Sequence, residues 1–187
     1  IYASGTKPAT DLDAAGETSL DLQWMHAIAP DAKIYLVEAA SATSPDILQA
    51  IQVASQKLVT DFGGGAVNMS FGKPFGIEDD FDTFDPVFNE PAFRNITYVA
   101  ASGDTGGIVS YPSTSGRVLS VGGTNLPVDA QGNLTAPETA WSGGGGGFST
   151  VVTTPPFQIG LPIGGDFRAV PDVAANADPA TGVSVYT

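Results

Sequence analysis

The sequence predicts an α/β fold organised on an open, mostly parallel sheet. Short apolar runs at 33–39 (KIYLVEA), 66–71, 97–101 and 118–122 are interleaved with helical patterns, the order expected of a parallel sheet with right-handed crossovers. Polar, glycine-bearing segments directly follow two of those runs: Ser70-Phe71-Gly72 and Ser102-Gly103-Asp104-Thr105-Gly106. They fall beyond the carboxyl ends of strands, where open sheets place their working residues.

Residues 1–15 are rich in Gly, Pro, Thr and Asp and read as a surface lead-in. A helix opens at Gly16 and ends near Ala29, because Pro30 lacks an amide donor and disfavours helical geometry before it. Leu20, Leu22, Trp24, Met25, Ala27, Ile28 and Ala29 surround its axis, the pattern of a helix covered on most sides. The strand at 33–39 precedes a helix over 44–58, with Ser44 as cap, Pro45 in the first turn and Ile47, Leu48, Ile51 and Ala54 on one face. Short helical turns at 86–94 lie between the second and third strands. Residues 126–141 read as a hairpin turning at 129–133 (DAQGN). Five glycines fill 143–147, and the tail, 168–186, ends on an incipient strand. There is no internal repeat and no second domain, so 1–187 is one unit.

Twenty acidic residues against seven basic ones and a single His give a formal net charge of -13. That balance argues against nucleic acid or an anionic membrane as partner, since both need a basic surface. No run is long and apolar enough to span a bilayer. The absence of Cys excludes disulfides and thiolate metal sites and leaves the compartment open.

Glu17 and Asp21 stand four residues apart in the opening helix, on one face, where their charges repel. In a poorly hydrated site the repulsion and the desolvation raise at least one pKa, and the two titrate as a pair able to share a proton. The alternative is that Glu17 complements the helix N-terminus and Asp21 is solvated or salt-bridged. His26, which an ordinary serine protease would need as base, lies about 180° around the helix from Glu17 and is expected to pack or hydrogen-bond in the core. Asn68, Asn95 and Asn133 each open an Asn-x-Ser/Thr triplet, a weak signal that is assigned no glycan.

Six segments occur in one order: GETSLDLQWMHAIAPDAKI, VNMSFG, VAASGDTG, YPSTSGRVLSVGGT, WSGGGGGFS and RAVPDVAANADPATG. Together they resemble the catalytic core of the sedolisins, the serine-carboxyl peptidases. The resemblance implies a subtilisin-like fold with helices on both faces of the sheet, and an endopeptidase or tripeptidyl-peptidase that works in acid on peptide or protein substrates. Position by position, it implies that Glu17 is the general base, Asp21 the acid that supports it and Asp104 the acid completing the oxyanion hole. Chemistry agrees: a carboxylate with a raised pKa can take a serine proton, and a protonated carboxyl can donate to an oxyanion. Without the resemblance, Asp104 reads as a turn residue between glycines.

Ser70, Phe71 and Gly72 match the segment that pairs backbone to backbone with an extended substrate; their plain alternative is a strand end. Gly145, Gly146 and Gly147 fall where the family has a glycine stretch beside the specificity pocket. As a phosphate loop the run fails, lacking the following Lys and Ser or Thr.

The family's nucleophile is the serine of a Gly-Thr-Ser motif beyond the Asp-Pro-x-Thr-Gly segment, and no Gly-Thr-Ser occurs in these residues. The calcium that the resemblance implies would likewise find its ligands beyond residue 187. The expectation is a catalytic domain truncated at both ends, inactive alone, with companion fragments of the same precursor as possible partners. The resemblance implies a secreted enzyme, with a lysosomal one as the alternative. Ser149 fits no nucleophile pattern. A competing class is a non-catalytic sedolisin-like peptide binder, distinguished by lacking a downstream Gly-Thr-Ser. A nucleotide-binding domain would need its glycine loop after the first strand, whereas this loop lies late in the chain.

Overall fold

The computed structural model describes residues 1–74 and 81–186. Its centre is a sheet in which β1 (Gly65–Met69), β3 (Ile96–Ala101), β5 (Val118–Asn125) and β9 (Val173–Asn176) pair in parallel in that spatial order, while β6 (Thr139–Ala140) joins the end of β5 antiparallel. Two antiparallel pairs stand apart: β2 (Lys73–Pro74) with β4 (Ser110–Tyr111), and β7 (Gly147–Thr153) with β8 (Phe167–Val170). The α/β reading with a mostly parallel sheet therefore holds.

The core lies on one face. Val67, Met69, Tyr98, Ala100 and Val118 alternate inward from β1, β3 and β5 and meet Ile47, Leu48, Ile51 and Ala54 of α2 (Ser44–Phe62), the helical face expected from sequence. Phe88 packs edge-on against Tyr98, and Val87 and Phe93, from the short 3-10 turns Asp85–Asn89 and Pro91–Phe93, close the cluster. Thr43 rather than Ser44 stands at the cap position, and α2 runs one turn past Leu58 to Gly63, whose φ of 77° ends it. Residues 59–62 carry the apolar spacing on with Val59, which joins the core.

The first helix departs further from expectation. α1 spans Leu12–Ile28: Asp11 accepts hydrogen bonds from the amides of Asp13 (3.0 Å) and Ala14 (3.1 Å) and starts the helix four residues before Gly16. No residue of α1 is buried. Its apolar residues are distributed around the axis, so no single face could have been covered by one partner. What fixes its carboxyl half is polar: Trp24 Nε1 donates to the Ser184 carbonyl (3.0 Å), and Gln23 exchanges two hydrogen bonds with the backbone of Tyr186 (2.7 and 2.9 Å). His26 is exposed rather than packed, in the last turn of α1.

The expected strand at 33–39 is reduced to one parallel bridge, Glu38 with Tyr2. The backbone contacts of 36–38 go to Ile1 and Ala3, and no β1 partner aligns them into the sheet. In the tail, β8 and β9 replace the incipient strand, and 182–186 lies outside the strands, its carbonyls serving α1 instead. The hairpin over 126–141 forms as a Val128–Leu134 bridge with the 129–133 turn closed by Asp129, whose carboxylate accepts from Gln131 and Asn133.

The tail is anchored by Arg168, which has no solvent exposure. Its guanidinium forks onto Asp172 (2.6 and 2.5 Å) and donates to the Ala169 carbonyl (2.5 Å) and the Val118 carbonyl (3.3 Å). Asp172 also accepts from the Ser120 amide (2.8 Å), and Gln158 joins both sides by donating to the Ala169 carbonyl (2.7 Å) and accepting from its amide (3.0 Å). The charge pair thereby fixes β8 and β9 against β5.

Candidate active site

Glu17 and Asp21 sit one turn apart on α1, as their spacing requires. β1 brings the next groups. Val67 and Met69 point into the core, so by the two-residue period of a strand Asn68 and Ser70 face the other way, toward α1. Asn68 Nδ2 donates to Asp21 Oδ2 (3.1 Å) and to Ser70 Oγ (2.9 Å), while the Ser70 hydroxyl donates to Asp21 Oδ1 (2.9 Å). Since Asn68 and Asp21 meet across the face opposite the core, helices approach both faces of the sheet.

Asp104 comes from the loop after β3. That loop is fastened to the glycine run: Ser102 Oγ donates to the Gly145 carbonyl (2.7 Å), the Gly145 amide to the Gly103 carbonyl (2.6 Å) and the Gly146 amide to the Ile108 carbonyl (3.1 Å). A Cβ at Gly145 would collide with the carbonyls of Ser102 and Ile108. The close approach that Gly145 permits is thus an approach by the Asp104 loop. Gly145→Ala is expected to cost about 1–3 kcal/mol by overpacking, read as a lower urea midpoint, and to displace the amides of 102–104 in NMR spectra.

Asp21, Asn68, Ser70, Asp104, Trp141 and Asn176 are the side chains that converge on a cavity of about 310 Å³, floored by the backbone of 99–103 and 121–123. It opens beyond the carboxyl ends of β1, β3 and β9, where the sheet's topology leads one to look. Dehydration raises the pKa of Glu17 above the ordinary glutamate range, and the negative charges of Asp21 and Asp104 raise it further, against the Ser70 hydrogen bond. Solvent still reaches Glu17, so its dehydration is partial and the two like charges weigh heavily. Asp21 is raised by burial, opposed by the hydrogen bonds from Ser70 and Asn68. The i, i+4 pair forms with Glu17 still exposed, so the poorly hydrated setting expected for both acids is found mainly at Asp21.

Phe71 is partly exposed, and Gly72 packs its backbone against Ser110 and Tyr111. Gly147 begins β7 with a φ of 141°. None of Phe71, Gly72, Gly145, Gly146 or Gly147 lines the cavity. Ser149 is buried, its Oγ accepting from the amides of Val151 (3.1 Å) and Val152 (2.8 Å), which gives it a structural task. Sequence reasoning missed Asn68 as a site residue. The signal was present in the alternation Val67-Asn68-Met69-Ser70, which puts two polar side chains on the face that receives the acids.

The chain belongs to the subtilase family, which it matches over residues 5–186. Within that family its relatives are sedolisins, a family of serine-carboxyl peptidases whose substrates are peptides and proteins. It is 34% identical to kumamolisin of Bacillus sp. (strain MN-32), over 91% of this chain and 34% of that protein. It is 26% identical to sedolisin of Pseudomonas sp. (strain 101), over 94% of this chain and 34% of that protein. The fold superposes on Pseudomonas sedolisin, a serine-carboxyl proteinase solved with two molecules of pseudo-iodotyrostatin, with a TM-score of 0.78 and 25% identity over 95% of this chain and 55% of that one. The chain spans about a third of the length of the two curated relatives.

Sedolisins bind calcium. Among the described residues no three His, Cys, Asp or Glu side chains converge as a cation needs, so none of them is assigned to that ion.

Proposed function

We propose that these residues are the acid-bearing part of a serine-carboxyl peptidase, with Glu17 as general base, Asp21 as its supporting acid and Asp104 as oxyanion donor. The nucleophilic serine is supplied by a Gly-Thr-Ser segment outside the 187 residues. The observation that carries this reading is that Asp21 and Asp104, from two distant segments, line one cavity, while the charges of both raise Glu17.

In this mechanism the Glu17 carboxylate takes the serine proton as Oγ bonds to the scissile carbonyl carbon. The carbonyl π pair moves to oxygen, where the protonated Asp104 donates a hydrogen bond. Protonated Glu17 then gives its proton to the leaving amine as the C–N bond breaks, and water reverses the sequence on the acyl-enzyme. The backbone of Ser70, Phe71 and Gly72 holds the extended peptide, and Gly145, Gly146 and Gly147 buttress the wall that carries Asp104. Isolated, the chain lacks a nucleophile and is inactive. A secreted protein, with companion fragments of one precursor completing the site, fits this reading.

The test is hydrolysis of peptides by the full gene product across about pH 3 to 8. The rate is expected to rise as Glu17 loses its proton, at a pH above the ordinary glutamate range. Peptide binding without hydrolysis at any pH would give the protein to the non-catalytic class.

A further inference from the structure

We propose that Ser102 is a positioning residue for Asp104: its hydroxyl, bonded to the carbonyl of Gly145, holds the loop that presents Asp104 to the cavity. The inference rests on the proposed role of Asp104 for its catalytic meaning, while the hold on the loop can be measured without turnover.

Ser102 is the first residue past β3 and stands two positions before Asp104. Its amide still belongs to the sheet and donates to the Val121 carbonyl (2.8 Å). Strand pairing ends there, at Ala101 opposite Val121, and the side chain takes over from the ladder. Ser102 Oγ donates to the Gly145 carbonyl (2.7 Å), while the Gly145 amide donates to the Gly103 carbonyl (2.6 Å). The amide and the carbonyl of Gly145 are thus both bonded to the loop, one through its main chain and one through a hydroxyl. Ser102 and Gly145 are buried, so removing the hydroxyl takes a donor from a carbonyl that water does not readily reach.

The remainder of the loop is confined by contact. Gly103 has a φ of 109°, a conformation that residues with side chains avoid, and a Cβ there would lie 2.6 Å from Ser110 Oγ. A Cβ on Gly106 would strike the Ser142 carbonyl. Asp104 therefore lies between one residue pressed against Ser110 and another pressed against Ser142. Contacts of this kind oppose movement of the loop into its neighbours, but they do not oppose its withdrawal. The two bonds to Gly145 do, and Ser102 supplies the one that a side-chain substitution can remove. An oxyanion donor acts at hydrogen-bond range from a charge that develops in the transition state, so a small displacement of Asp104 weakens it. Peptide binding, assigned to the backbone of residues 70–72, is left alone.

The experiment compares Ser102→Ala and Ser102→Thr in the complete peptidase, with Ile51→Val as a variant weakened in the core on α2. Ser102→Ala should lower kcat about 10-fold or more while KM stays within about twofold. Threonine keeps the hydroxyl and should restore most of kcat. Ile51→Val should lower the urea midpoint and leave kcat unchanged; a Ser102→Ala variant that behaved in the same way would have a structural role alone, and the inference would be lost. Added to Asp104→Ala, Ser102→Ala should cost nothing further in kcat, because the group it positions is gone; a full additional loss would also overturn the inference. If Ser102→Ala does not fold, Ser102→Cys, a weaker donor of similar size, takes its place. The second measurement needs no hydrolysis. In NMR spectra of this chain, Ser102→Ala should shift the amide and carboxyl carbon resonances of Asp104 while those of Asp129 stay in place, and unmoved Asp104 resonances would refute the hold on the loop. A full gene product without peptidase activity would remove the proposed function and leave the Ser102 hold to be decided by those resonances.

Discussion

Glu17→Gln in the complete peptidase is expected to lower kcat/KM by at least about 10²-fold, the scale set by losing a general base. Glutamine keeps the size of the side chain, but its amide cannot receive the serine proton. The loss should fall on kcat, since Glu17 acts on a proton in flight rather than on the bound peptide. Asp104→Ala, which removes the oxyanion donor, is expected to cost about 10² to 10³-fold. Asp104→Asn is the informative companion: an amide keeps a hydrogen-bond donor beside the oxyanion, so it should lose less than Asp104→Ala. Steady-state kinetics across the pH range measures all three. Near-normal turnover by Glu17→Gln at its optimum would remove Glu17 from the role of base.

The largest stability effect is expected at the tail. Arg168→Ala leaves the Asp172 carboxyl largely enclosed with its guanidinium gone, and strips donors from the carbonyls of Val118 and Ala169. Breaking a buried pair from one side costs about 3–5 kcal/mol, read as a large fall in the urea midpoint with the slope unchanged. Replacing both partners by apolar residues of similar size, Arg168→Met with Asp172→Leu, should recover most of the loss, because no unpaired charge remains. The comparison separates the cost of an orphaned carboxylate from the intrinsic worth of the ion pair. If the double variant were as unstable as the single one, the packing of the guanidinium against Phe157 (5.1 Å) would outweigh its charge.

The sheet was legible where strands are short, apolar and central: β1, β3 and β5 read directly because their alternate residues enter one core. α2 was legible for the same reason, its face being spaced to meet them. Where local signal and tertiary context part, reading fails. The run at 33–39 has the composition of a strand but only one bridging partner. Phe167–Val170 is strand because β7 lies beside it and Arg168 draws it onto β5, and neither cause is visible in four residues. At the site, the i, i+4 carboxylates stood out among apolar neighbours, whereas Asp104 read as a turn residue until the resemblance singled it out. Asn68 did not stand out, because an asparagine in a core strand reads as an exception until the helix opposite is known to carry acids.

The bonds from Gln23 and Trp24 to residues 184 and 186 join positions separated by about 160 residues. α2, β1 and β3 have their partners close in sequence, so their contacts form early at small entropic cost, whereas closing so long a loop is repaid only once the sheet stands. None of its residues is buried, and the other bonds that hold α1 are those from Asn68 and Ser70 to Asp21. The helix that bears Glu17 and Asp21 is therefore the piece that docks last and departs first, and the acids meet only in a chain whose remainder is already folded.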